Sequence, residues 1–97
     1  MGGESEERTV RVRIAGRVQG VSYRYWTRET AEALGLSGWV RNRRDGSVEA
    51  LFSGAADDVA EMLRRCHDGP AAAVVGSVQI LEEGGDAPAG FRMLPTV

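Results

Sequence analysis

The chain has 97 residues, enough for one small domain with a single core of two helices on a sheet. It is 42% hydrophobic and 27% charged with a formal charge of −2, a balance that argues against a general nucleic-acid binder, which carries a basic face. All 12 basic residues are arginine, so a lysine-dependent phosphate loop and Schiff-base catalysis are excluded.

Cys66 is the single cysteine and can form neither an internal disulfide nor a cysteine-based zinc site. No apolar run approaches the roughly 20 residues that span a bilayer. The polar, acidic start "MGGESEER" lacks the apolar segment of a signal peptide, so the expected location is the cytoplasm.

Residues 1–8 read as a flexible tail, and 9–97 as a single domain. "TVRVRIAG" alternates, with Val10, Val12 and Ile14 on one face and Arg11 and Arg13 on the other, the period of a strand buried on one side. A glycine-punctuated loop, "GRVQGVSYR", leads into a helical pattern of Tyr23, Trp26, Thr27, Thr30, Ala31 and Leu34, stopped at Gly35. "LSGWVRN" reads as a second strand, "RRDG" as a turn, and "SVEALF" as a third strand with Val48, Ala50 and Phe52 on one face.

The second helix carries Val59, Met62, Leu63 and Cys66 as its apolar stripe, with Asp57 and Asp58 in the first turn and Arg64 and Arg65 in the last, as the helix dipole favours. "AVVGSVQIL" predicts a fourth strand and "FRML" a short terminal one. Strand, helix, strand, strand, helix, strand fits an α+β, ferredoxin-like two-layer sandwich: an antiparallel sheet with two helices on one face. A right-handed crossover makes the first two strands parallel with the third between them. The Gly16–Arg24 loop and the Trp39–Asn42 segment then emerge at one sheet edge.

At that edge, backbone N–H groups from about Val18 to Ser22 can converge at a helix start, which favours an anion. Gly16 and Gly20 permit the backbone angles such a nest needs. Arg24 lies in the helix's first turn, where a cation opposes the dipole unless an anion sits there. An ordinary glycine turn beside a solvated arginine is the competing explanation. Asn42, at a strand end, offers a neutral donor and acceptor that can orient a water; turn stabilisation explains it equally simply.

Other chemistry fits less well. Cys66 lies on an apolar stripe, as a core cysteine does. His67, the only histidine, sits at a helix end, where it caps carbonyls or meets solvent. Ser22 lacks an evident base and fits a helix cap better than a nucleophile. The acidic residues form no metal-ligand spacing. Anion binders and a water-orienting amide without an acid, nucleophile or metal are too little for a phosphate monoester. They suffice for an acyl phosphate, whose carboxylate leaves without a proton.

"IAGRVQGVSYR" and "GWVRNRRDGSVEALFSG" resemble, in order and spacing, the two signatures of the acylphosphatases, and similarity extends over roughly residues 9–94. The resemblance implies hydrolysis of a carboxyl–phosphate bond to carboxylate and inorganic phosphate, without metal or cofactor. By position it assigns the phosphoryl group to Arg24 and the backbone amides of Arg17, Val18, Gln19, Gly20, Val21 and Ser22, and the attacking water to Asn42. The substrate's own carboxyl oxygen would accept the proton. Expected partners are a small acyl phosphate, with inorganic phosphate or other anions as product or inhibitor, and no nucleic acid or membrane; the expected state is a monomer.

Three positions depart from the family pattern. Tyr23 stands where phenylalanine is common, its hydroxyl directed to the site or to solvent. Arg43 replaces a hydroxyl residue beside Asn42, and Gly76 replaces a polar residue, which would loosen the fourth strand. The alternative function is a module that binds a phosphate or carbamoyl-phosphate type of ligand without turning it over. An RNA-recognition sandwich fails because the first and third strands lack the exposed aromatics it needs.

Overall fold

The computed structural model describes residues 6–97, and in it the alternating segment forms β1 (Glu7–Arg17). Val10, Val12 and Ile14 are wholly buried, with Arg11 and Arg13 on the opposite face. β1 begins two residues before the expected start. Glu7 and Arg8 pair with Ala55 and Gly54, and the Arg8 guanidinium donates to Glu83 at 2.8 Å. Those two residues therefore leave the expected tail for the sheet, and residues 1–5 of that tail lie outside the described residues.

Helix α1 (Tyr23–Ala33) buries Tyr23, Thr27 and Ala31, one residue per turn. Its end follows from Gly35 at φ +72°. The Gly35 N–H bonds the Glu32 carbonyl at 3.0 Å and the Leu36 N–H bonds that of Ala31 at 2.9 Å, the two bonds of a glycine-terminated helix. β2 (Ser37–Asn42) and β3 (Val48–Ala55) follow, then α2 (Ala56–Cys66), β4 (Val74–Glu83) and β5 (Phe91–Met93). In α2, Val59, Met62 and Cys66 are fully buried, and the acidic and basic ends stand as expected.

The sheet order is β4-β1-β3-β2-β5, the ferredoxin-like arrangement with one added edge strand. β1 and β2 are each antiparallel to β3, hence parallel to each other, while β5 pairs in parallel with β2 and makes the sheet mixed. Val48 is opposite both Ile14 and Asn42. Two strand spacings of about 4.8 Å therefore separate the ends of β1 and β2.

The helix-side core joins Val10, Val12, Ile14, Val40, Ala50 and Phe52 to Ala31, Val59 and Met62. β3 is also buried on its other face, at Glu49 and Leu51, where alternation alone predicts exposure. Arg11 and Arg41 on the flanking strands each donate to Glu49 at 2.8 Å and cover it with their stems.

β4 continues through Gly76, where an added Cβ would make only ordinary contact with the Ala15 carbonyl at 3.5 Å. The pairing shifts there by one residue: Ala15 faces Ser77 and Gly16 faces Val75, so Gly76 itself is passed over in the register with β1. Among the described residues no helix is long and apolar enough to cross a membrane.

Candidate active site

The loop between β1 and α1 is anchored from below by Val18, which is fully buried, and by Val21, which packs partly buried against the core. Gly16, at φ +126°, allows the close approach of β4: a Cβ there would lie 2.3 Å from the Val74 carbonyl oxygen. Gly20 (φ +74°) and Ser22 (φ +63°) both take left-handed backbone angles. Ser22 is the one non-glycine residue with positive φ among the described residues, and such a conformation costs of order 1–3 kcal/mol. Strain of that kind turns the chain sharply into α1.

Ser22 occupies the N-cap position, yet its side chain makes no capping hydrogen bond. The expected capping role is therefore absent. In the left-handed conformation Ser22 departs from the extended backbone that lets a cap hydroxyl reach back to the first turn. Nor does α1 have an acidic residue in its first turn, whereas α2 has Asp57 and Asp58. Among the described residues, no N–H from Gln19 to Ser22 is taken up by a backbone carbonyl in a loop or turn. The start of α1 thus concentrates unneutralised positive potential and free donors.

Asn42 reaches the same place from the end of β2. A cavity of about 240 Å³ is lined by Val18, Gln19, Gly20, Ser22, Tyr23, Arg24, Tyr25 and Asn42. The loop and the end of β2, brought to one edge by the topology, therefore line one cavity. Arg17 and Val21 lie outside the lining: Arg17 closes β1 opposite Val74, and Val21 turns to the core. Arg24 is part-exposed, and no carboxylate among the described residues forms an ion pair with it.

The Asn42 Oδ1 atom is buried and has no hydrogen-bond partner, alone in this among buried side-chain polar atoms of the described residues. An orphaned buried acceptor costs roughly 1–3 kcal/mol. That unpartnered acceptor belongs to a residue that lines the cavity.

Two contacts that position Asn42 have no signal in the sequence. Gln19 Nε2 donates to the Arg43 carbonyl at 2.7 Å and to the Ser47 carbonyl at 2.8 Å, binding the loop to the β2–β3 turn. Asp45 braces that turn, accepting from the Ser47 N–H at 2.9 Å and the Ser47 hydroxyl at 2.6 Å. These bonds, with lesser help from Arg13, hold its carboxyl down at about 2. On the other side of β2, the Val97 N–H donates to the Asn42 carbonyl at 3.1 Å and the Arg44 N–H to that of Val97 at 2.7 Å. Arg43 contributes its carbonyl to this support.

Tyr23 corrects a further expectation. It is among the cavity-lining residues, but its hydroxyl points to neither site nor solvent: it donates to the Cys66 carbonyl at 2.7 Å inside the core. Burial raises its pKa far above the usual phenol value. Burial likewise pushes the Cys66 thiol up to about 12, so it is no thiolate nucleophile at neutral pH. His67 is exposed at the end of α2 and outside the cavity. Among the described residues no three His, Cys, Asp or Glu side chains cluster as metal ligands would.

The acylphosphatase family model matches residues 10–93, most of the chain. The chain belongs to the acylphosphatase family. A relative named acylphosphatase from Nitrobacter hamburgensis is 65% identical over 68% of this chain and 67% of that protein. One from Bradyrhizobium diazoefficiens is 52% identical over 91% of this chain and 95% of its own length. Among solved structures, an acylphosphatase from Coxiella burnetii superposes with a TM-score of 0.87 at 33% identity, covering 97% of this chain and all of that one. Both signature segments of this acylphosphatase-family enzyme contribute to the cavity wall, the first through Val18, Gln19, Gly20, Ser22, Tyr23 and Arg24 and the second through Asn42.

Proposed function

We propose that the cavity hydrolyses acyl phosphates to a carboxylate and inorganic phosphate, by in-line attack of water on phosphorus. The observation that carries this reading is the buried, unpartnered Asn42 Oδ1 on the wall of the cavity that holds Arg24. Arg24 and the backbone amides of the 17–22 segment, chiefly Gln19 to Ser22, hold the phosphoryl oxygens. A planar guanidinium fork suits two of those oxygens at once. Its charge and the start of α1 offset the negative charge that spreads over them in the transition state.

Asn42 Oδ1 accepts a hydrogen bond from the attacking water and aims its lone pair at phosphorus. A new P–O bond forms as the bond from phosphorus to the acyl oxygen breaks. The departing carboxyl oxygen keeps the electron pair and leaves as a carboxylate, and the proton that water loses goes to an oxygen of the phosphate product. That route needs no general base, and among the described residues the cavity lining holds no histidine or carboxylate: positioning and charge suffice when the leaving group is a carboxylate. Metal and cofactor have no part in this scheme. The enzyme works as a single domain in the cytoplasm, as a monomer, on a small diffusible substrate.

The test is hydrolysis of benzoyl phosphate against p-nitrophenyl phosphate with chelator present. The account expects turnover of the first without the second. Equal rates on both, or recovery only on adding metal, would overturn it. Phosphate binding with no turnover of either would favour the non-catalytic binding module.

A further inference from the structure

We propose that Tyr25, with Arg28 stacked on it, forms a subsite for the acyl half of the substrate and favours aromatic acyl groups over small aliphatic ones. The inference rests on the acyl phosphate reading above and extends it from the phosphoryl end to the other end of the same molecule. Of the large apolar side chains exposed among the described residues (Tyr25, Val74, Ile80 and Val97), only Tyr25 lines the cavity. It is 56% exposed, although the neighbouring aromatics Tyr23 and Trp26 pack in or against the core.

Its place in the chain explains why it is free. Tyr23, Thr27 and Ala31 take the buried stripe of α1, which leaves position 25 on the solvent side, next to Arg24. The Arg28 guanidinium lies 5.4 Å from the ring centroid, within cation–π range, and restrains the ring. Arg28 has no ion-pair partner among the described residues that would draw it away.

In-line geometry supplies the direction. Water approaches from the Asn42 side, so the acyl group departs on the side of phosphorus away from Asn42. The phosphoryl end is gripped by polar groups common to every substrate. Discrimination among acyl groups then falls to the exposed part of the lining, where Tyr25 is the large apolar residue left exposed among the described residues. An aromatic acyl group can stack on it or meet it edge-on, whereas a methyl group covers little of it.

The experiment compares kcat/KM for benzoyl phosphate and acetyl phosphate in the wild type, Tyr25→Ala and Tyr25→Phe. Comparing that ratio between wild type and variant cancels the intrinsic reactivities of the two substrates. Tyr25→Ala should lower the benzoyl-to-acetyl ratio about threefold to tenfold, the scale of one aromatic pair, mainly through KM. Tyr25→Phe should retain the wild-type ratio, since the ring face remains. An unchanged ratio in Tyr25→Ala, with both substrates still hydrolysed, overturns the subsite and leaves the activity standing. Hydrolysis of neither substrate by the wild type overturns the activity, and the subsite with it.

Discussion

Gln19 reaches across the cavity edge to Arg43: its Nε2 donates to the Arg43 carbonyl at 2.7 Å and shares a second hydrogen with Ser47 at 2.8 Å. One side chain thus sets the spacing between the loop that supplies Arg24 and the strand end that supplies Asn42. Gln19→Ala would leave two part-buried carbonyls without this donor and cost about 1–2 kcal/mol. Turnover of benzoyl phosphate should fall at least about tenfold, because small misplacements of reacting groups are costly. Gln19→Glu, ionised at neutral pH, cannot donate and should do no better. Urea denaturation beside steady-state kinetics checks both effects, and wild-type kcat in either variant would refute the clamp.

Arg24 carries opposite consequences for activity and stability. Arg24→Ala should reduce kcat/KM by about 10³ or more, the scale of a transition-state arginine in phosphoryl transfer. Competitive inhibition by inorganic phosphate should weaken with it. The same change removes a cation from the start of α1, a position worth about 0.3–1 kcal/mol against folding. Its melting temperature should therefore rise, by a few degrees in a domain of this size. Arg24→Lys keeps the charge without the fork and should restore only part of the activity. A destabilised Arg24→Ala would mean that Arg24 is structural.

Glu49 controls stability in acid. Burial raises the tendency of its carboxyl to hold a proton, but hydrogen bonds from Arg41 and Arg11 outweigh burial and keep its pKa below the usual value of 4.5. A carboxylate with a depressed folded-state pKa stabilises fully above its unfolded pKa, and that share is lost as pH falls through the folded one. The difference in melting temperature between wild type and Glu49→Gln should be full at pH 7 and shrink below about pH 4.5. At neutral pH the loss should be about 1–2 kcal/mol. It stays below the cost of breaking a fully buried pair because Arg11 and Arg41 remain 31% and 27% exposed. A difference independent of pH would show that packing, not charge, holds Glu49.

Much of this arrangement was legible in the sequence, for physical reasons that differ from place to place. Period-two burial at Val10, Val12 and Ile14 and the Tyr23–Thr27–Ala31 stripe are set by local geometry, so pattern reveals them. The meeting of Arg24 and Asn42 follows from crossover handedness once the strands are placed. By contrast, the Gln19 clamp and the Tyr23–Cys66 bond join a side chain to a distant carbonyl, and a carbonyl carries no residue identity to read. The left-handed Ser22 was likewise invisible, since serine there signals a conventional cap. Burial of Glu49 depended on arginine stems from two other strands, beyond any pattern within β3.

The most direct test of the account is Asn42→Ala, read by kcat for benzoyl phosphate together with the inhibition constant for inorganic phosphate. If Asn42 orients water while Arg24 and the loop amides hold phosphate, kcat should fall by about 10²–10³, the scale of losing one preorganised polar group. The phosphate inhibition constant should move by less than about twofold, because an interaction made only in the transition state lowers turnover without weakening ground-state binding. Wild-type turnover in a folded Asn42→Ala enzyme, or a loss of phosphate affinity that matches the loss of turnover, would contradict it.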